Sequence, residues 1–359
     1  MTKVRQSKRN FLTSLAALGI GAAVTALPAL PAYAQASRVA EVAGYQGPDR
    51  DKRLIEGARK EGEVTVYSSM PVDDNTALFD AFEKKYGIKV KVWRGSSEDI
   101  VRRTLAEIKG GRFDVDVIVN NGLGLEPLHR EKVLQAVKSP HLGELIPQAV
   151  PPHGEWVAKY LNVFVQAYNT NQVKKEDLPK TYRDLLKPEW KGKLGIEAED
   201  YDWLAELVRD MGEAEGLKLF REIVAANGVS VRRGHTLLTN LTVAGEVPLA
   251  LTVYSFTAEQ LKKKGAPLDW FILGPAIARP NGVGVVKTAQ RPHAAVLLFD
   301  FLISDEGQKI FAARNFVPTS KKFDSPFKNA LKVVDTGRML DEGKPWQEHF
   351  ERIFVKQAR

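Results

Sequence analysis

The chain is 359 residues long, contains no cysteine and carries a formal charge of +8. That length allows one large or two medium domains with ample core, and the missing cysteines exclude disulfides, thiolate metal sites and a cysteine nucleophile. Half of the charge sits in residues 1–34, where Lys3, Arg5, Lys8 and Arg9 stand without an acid; what remains is mildly basic, which gives weak support to an anionic ligand and none to nucleic acid.

Residues 1–34 read as an export signal. A basic start precedes the apolar run Phe11–Val24, and Ala32-Tyr33-Ala34 supplies small residues for cleavage before Gln35. Ser7-Lys8-Arg9-Asn10-Phe11-Leu12 is similar to a twin-arginine signal with lysine in the first position, so the route, twin-arginine or general secretory, stays open. No later run reaches about 18 apolar residues. A soluble periplasmic protein is expected.

After a polar stretch, a helix is predicted at Asp51–Lys60. The run Glu63–Tyr67 reads as the first core strand, and a helix follows Asp73 and Asp74, with Ala77, Leu78, Ala81 and Phe82 on one face and Gly87 as its stop. Ile88–Trp93 alternates as a half-buried strand. A helix capped by Ser96 comes next, and Asp116–Val119 is a buried strand ending at Asn120-Asn121-Gly122. Three strand–loop–helix units in close succession predict a parallel sheet. Trp156–Tyr168 is a long β-prone run that could leave one sheet and enter another. Helical turns at Thr181–Leu186, a strand at Gly195–Glu197, a helix from Trp203, a second helix at Leu217–Ala226 and a strand at Val229–Val231 follow. Arg232-Arg233-Gly234-His235-Thr236 opens another helix. Val247–Val253 is a short apolar strand that leads through Tyr254-Ser255-Phe256 into a helix from Ala258 to Lys264. Strands at Phe271–Leu273 and Gly282–Val286, a long apolar helix from His293 to Phe311 and a mixed tail complete the chain.

Val64-Thr-Val-Tyr-Ser-Ser69, Phe82-Glu-Lys-Lys-Tyr-Gly-Ile-Lys-Val90, Pro188-Glu-Trp-Lys-Gly-Lys193, Gly245-Glu-Val-Pro-Leu-Ala-Leu251 and Ser304-Asp-Glu-Gly-Gln308 stand in an order that resembles the ferric-ion-binding branch of periplasmic solute-binding proteins of ABC importers. The resemblance implies an α/β, two-lobed periplasmic-binding-protein fold of the class II type. Each lobe would be a mixed, mostly parallel sheet flanked by helices, and crossing hinge strands would join them. It places lobe 1 at residues 35–156 plus 275–318 and lobe 2 at 157–274 plus 319–359. It also implies a small-molecule solute held in the cleft by hinge closure, an inner-membrane ABC permease with its ATPase as partner, and a monomer. Members that bind the bare ion use a histidine in the first loop, a glutamate after a lobe-one strand and two adjacent tyrosines, since Fe³⁺ favours anionic oxygens. Those positions fall here on Pro71, Asn121 and Ser255-Phe256. The ferric ligand set is not retained, so neither a metal site nor a cofactor is expected.

The candidate ligand-binding residues lie where strands hand over to helices, the usual ligand position in open α/β sheets. Ser68 and Ser69 could donate to an anion, although an ordinary turn also accounts for them. Asn120 and Asn121 suit a neutral or carboxylate ligand, or simply a turn. Asp200, Tyr201, Asp202 and Trp203 could hold an ammonium group by ion pairing and cation–π contact, or a carboxylate could cap the helix. Arg233, His235 and Thr236 bring a guanidinium and a helix N-terminus together for an acid group. At least one of Tyr254, Ser255 and Phe256 should face the ligand, and strand parity keeps Tyr254 and Ser255 on opposite faces if the strand continues. The glycines of Gly282-Val-Gly284 are expected to allow close packing. No nucleophile–base pair or HExxH spacing is present. The expectation is therefore a receptor, not an enzyme, for a small anionic or zwitterionic solute such as an aminophosphonate, amino acid or carboxylic acid. The alternatives are ferric iron held as a chelate or with a synergistic anion, a periplasmic enzyme using His235 with Asp200 or Asp202, and a receptor that feeds a sensor kinase.

Overall fold

A computed structural model of the chain describes residues 32–327 and 331–356. The export signal assigned to residues 1–34 lies, up to residue 31, outside the described residues. The polar stretch expected ahead of Asp51 is instead helical: α1 (Ala32–Gly44) buries Val39 and Ala43, four residues apart on one face. It precedes α2 (Arg50–Glu61), which ends on Gly62 in the left-handed region.

The next elements follow the expected alternation. They are β1 (Glu63–Ser68), α3 (Val72–Tyr86), β2 (Lys89–Arg94), α4 (Ser97–Lys109), β3 (Val117–Asn121) and α5 (Gly122–Arg130). β1 pairs in parallel with both β2 and β3. The Ser96 hydroxyl caps α4 by accepting from the Asp99 amide at 3.1 Å. A short β4 (Leu134–Gln135) leads to β5 (Trp156–Asn169), in which every residue is buried. The first half of β5 pairs antiparallel with a later strand, β10 (Ala276–Val286), and its second half pairs with β8 (Leu249–Tyr254) and β9 (Leu268–Phe271). β5 thus leaves one sheet and enters another, as its length suggested.

The second region contains β6 (Leu194–Glu197), α6 (Tyr201–Met211), α7 (Glu213–Asn227), β7 (Ser230–Arg232), α8 (His235–Ala244) and α9 (Ser255–Lys263). β6 runs parallel to β7 and β8. The overall strand order is β2-β1-β3-β10-β5-β8-β6-β7. β10 begins six residues before the predicted Gly282, and its far half lies antiparallel on β3. A Cβ on Gly282 would lie 2.6 Å from the Val157 carbonyl oxygen, so glycine permits the close approach of β10 to β5. The long apolar helix expected over His293–Phe311 is two helices, α10 (Pro292–Ile303) and α11 (Asp305–Ala313). Ser304 stands between them in an extended conformation, and its hydroxyl caps α11 by accepting from Gly307 N–H. β11 (Val317–Pro318), β12 (Leu331–Val333) and α12 (Thr336–Phe350) follow, and a π-helical turn at Glu351–Val355 ends the described chain. No helix among the described residues is long and apolar enough to cross a membrane.

The core is divided. One apolar cluster draws on Val39 to Tyr160, on Phe256 and on Val283 to Phe316; two others draw on residues between Leu161 and Ala278 and on residues between Val317 and Phe354. This is the two-lobed α/β arrangement, with β5 and β10 passing between the halves.

Candidate functional site

The carboxyl ends of β6, β7 and β8 hand over to α6, α8 and α9, and the side chains at these three junctions form one buried network. Arg279, projecting from β10, is its hub. Its Nε donates to Asp202 Oδ2 at 2.7 Å, one Nη to the Tyr254 hydroxyl at 2.8 Å and the other to Asp200 Oδ1 at 3.0 Å. The guanidinium also lies 5.0 Å from the centre of the Phe164 ring. Asp200 and Asp202 are fully buried, where an unpaired carboxylate would be costly. Arg279 and His235 neutralise them. His235 Nε2 lies 3.1 Å from Asp200, and its ring stacks on Tyr254 with centroids 3.8 Å apart.

Burial pulls His235 toward the neutral form, but the adjacent Asp200 and Glu197 carboxylates outweigh it and raise its pKa. Burial pushes Asp200 up, while His235 and Arg279 hold it below the usual carboxylate range. Burial raises the Tyr254 phenol well above its ordinary value, with Arg279 opposing.

Glu197 fixes the backbone around this network. Its carboxylate accepts the Gly234 amide at 2.8 Å and the Glu199 amide at 2.6 Å. Gly234 precedes α8 with φ 99°, a conformation open to glycine and strained for other residues. Donor atoms of Glu197, Asp200 and His235 lie within 4.8 Å of one another. Each of these groups is already engaged, with backbone amides, Arg279 or its neighbour, so the set behaves as an internal ion-pair network.

Nearer the surface, the Arg233 guanidinium pairs with Glu199, and its side chain is 79% exposed. Glu98, at the start of α4, stands close to Glu199. Burial, with Glu98 and Glu197 close by, raises the Glu199 pKa to about 7 despite Arg233. This contact sets the β2–α4 junction against the β6–α6 junction.

Several expected site residues have other duties. Ser68 is fully buried; its hydroxyl donates to Asn75 and accepts from the Met70 amide, so it locks the turn, whereas Ser69 is half-buried. Asn120 donates to the Ser97 carbonyl, and Asn121 donates to the Ser97 hydroxyl while capping α5 through the Gly124 amide. The pair ties two turns together. Trp203 is core, packed against Phe220 and Tyr182. Tyr201 is half-buried and stands close to Gln347 of α12. The strand does not continue through Tyr254: α9 starts at Ser255, three residues before the predicted Ala258. Ser255 and Phe256 therefore turn into the core, with Phe256 stacked 4.0 Å from Phe316, and Tyr254 alone faces the network. Thr236 is exposed in the first turn of α8. Arg279, Glu197 and Glu98 are the residues that sequence reasoning missed. Only the Gly195–Glu197 strand end offered a signal, an acid closing an apolar strand.

Residues 115–340 match the family described as bacterial extracellular solute-binding protein. The chain belongs to that family. Among its relatives, iron uptake protein A1 of Synechocystis is 25% identical over 287 residues, covering 75% of this chain and 79% of the relative. A putative 2-aminoethylphosphonate-binding periplasmic protein of Salmonella typhi is 26% identical over 310 residues, covering 82% of this chain and 89% of the relative. In structure, the chain resembles the periplasmic binding protein AfuA of Actinobacillus pleuropneumoniae, solved with exogenous fructose-6-phosphate. The TM-score is 0.71 at 22% identity, over 82% of this chain and 99% of that one.

Proposed function

We propose that this protein is the periplasmic receptor of an ABC-type importer and captures a small anionic or zwitterionic solute, an aminophosphonate or an amino or carboxylic acid, in the cleft between its lobes. The observation that carries the reading is the Arg233–Glu199 pair, which stands beside the N-terminus of α8 and against Glu98. A zwitterion gives each charge its own counterion: its acid group meets Arg233, His235, Thr236 and Ser69, and its amine meets Glu199 and Glu98. Asp200 and Asp202 were the expected amine acceptors, but Arg279 and His235 already occupy them. They position the site instead. The relative named for 2-aminoethylphosphonate supports the solute class. Closure would bring residues 35–156 plus 275–318 against 157–274 plus 319–359. The protein would act as a monomer, delivering solute to an inner-membrane permease.

Calorimetric titration of the mature protein with 2-aminoethylphosphonate, phosphate, hexose phosphates, amino acids and dicarboxylates tests this reading. At least one acid should bind, and Arg233→Ala should weaken it by about tenfold or more. Silence across the panel would refute the proposal. The relatives named for iron favour a second reading, a ferric chelate that brings its own donors. Ferric citrate would then bind with a charge-transfer band and give up its iron to a competing chelator. Bare Fe³⁺ is disfavoured, because the network offers one phenol oxygen and Arg279 already donates to it.

A further inference from the structure

The crossing strands β5 and β10 form a floor beneath the network, and one polar side chain on that floor has no partner. Asn162 of β5 stands directly opposite Arg279 of β10, and opposed residues of a strand pair project from the same face. Phe164, two residues on, shares that face. Its ring lies beside the Arg279 guanidinium and 5.3 Å from the Tyr254 ring, centre to centre. Asn162 is therefore aimed at the inner end of the network. It is 4% exposed, and its Oδ1 is buried with no hydrogen-bond partner among the described residues.

The other buried amides of these two strands are engaged. Gln166 accepts from the Leu273 amide at 2.6 Å and donates to the Leu251 carbonyl at 3.0 Å. Asn169 donates to the carbonyls of Thr242 and Val243, and Asn281 accepts from Lys159 Nζ. The Arg279 donors are committed to Asp200, Asp202 and Tyr254. Buried polar groups are ordinarily paired, and an acceptor buried without a donor is destabilising. An amide kept where an apolar side chain would be more stable points to a donor from outside the chain.

We propose that Asn162 is a specificity-determining residue of the cleft, accepting a hydrogen bond from an N–H or O–H group at the inner end of the solute. The assignment rests on the receptor reading above and adds a requirement to it: beside its acid group, the solute carries a donor. β5 and β10 pass between the halves, so hinge opening admits the solute to the floor and closure shuts out water. Closing on a donor satisfies Oδ1. Closing on an analogue without one strands the acceptor, and the site rejects that analogue.

The test is calorimetry on the mature protein with matched acids that differ in one donor: 2-aminoethylphosphonate against ethylphosphonate, alanine against propionate, and malate against succinate. The pairs tell an ammonium donor from a hydroxyl. Wherever the parent binds a pair, the member with the donor should bind about tenfold or more tighter, and Asn162→Leu should narrow that gap by about tenfold. Asn162→Ala should narrow it likewise without adding volume. Without solute, Asn162→Leu should melt no lower than the parent, because no bond within the fold is lost. If no acid binds the parent, the receptor reading falls and this assignment with it. If the parent ignores the donor, or its preference is unchanged in both variants, the assignment of Asn162 alone is overturned. A melting temperature lowered alike in both variants would also overturn it, as the sign of an amide bonded within the fold.

Discussion

Arg279 shows how much can hang on one side chain. It is the counterion of two fully buried aspartates and the donor to Tyr254. Removing one partner from such a pair leaves uncompensated buried charge, so Arg279→Ala should lower stability by about 3–5 kcal/mol in urea unfolding. A loss within the error of the fit would mean that water or a rearranged side chain replaces the guanidinium. Tyr254→Phe removes one charge-assisted bond and should cost about 1.5–3 kcal/mol. His235 adds a pH dependence with a definite sign. Its pKa lies above the ordinary 6.5, so its bond to Asp200 contributes stability that is complete below about pH 6.5 and lost as pH rises through the raised value. The stability difference between the parent and His235→Gln should therefore shrink from mildly acid to alkaline pH; a difference constant with pH would contradict the pairing. None of this was legible locally. Arg279 stands in Ala-Arg-Pro-Asn-Gly, which reads as a loop, and its partner Asp202 is 77 positions away.

At the scale of elements, the strand-to-helix junctions were legible and the residues within them less so. Periodicity and stop glycines place β1, α3, β2, α4 and β3 within a residue or two, because each is amphipathic or capped by its own local sequence. The junction at Tyr254 failed for a physical reason. Parity decides which side chain faces the cleft only while the strand lasts, and the helix begins one residue after Tyr254. Asn120-Asn121 carried a true turn signal, but the turn consumes both amides. The start of α8 offers a test at this scale. Gly234→Ala places a Cβ where φ is 99°, at a cost of about 1–3 kcal/mol, and should loosen His235 along with it. Solute affinity should fall more than that of a control alanine on an exposed helical face; equal affinities would separate the α8 turn from binding.

For the whole molecule, the proximity of Glu98 to Glu199 couples the two halves to pH. Glu199 is raised to about 7, first by burial and then by Glu98. A carboxyl raised in this way contributes stability that is complete below its ordinary 4.5 and lost as pH rises through about 7. In the absence of solute, the halves should separate as pH goes from about 6 to about 8, seen as a larger radius of gyration in small-angle scattering. Glu98→Gln should flatten the trend; an unchanged profile in that variant would remove Glu98 from the contact.

β5 and β10 bear on time as well as on shape. The first sheet is incomplete without β10, which follows β3 by some 150 positions, and its core needs α10 and α11 from later still. The second sheet, in turn, needs β5, whose other half belongs to the first. Neither half can close its core while the C-terminal third of the chain is still being made, and long-range pairings of this kind fold slowly. A nascent chain therefore stays open through most of its synthesis.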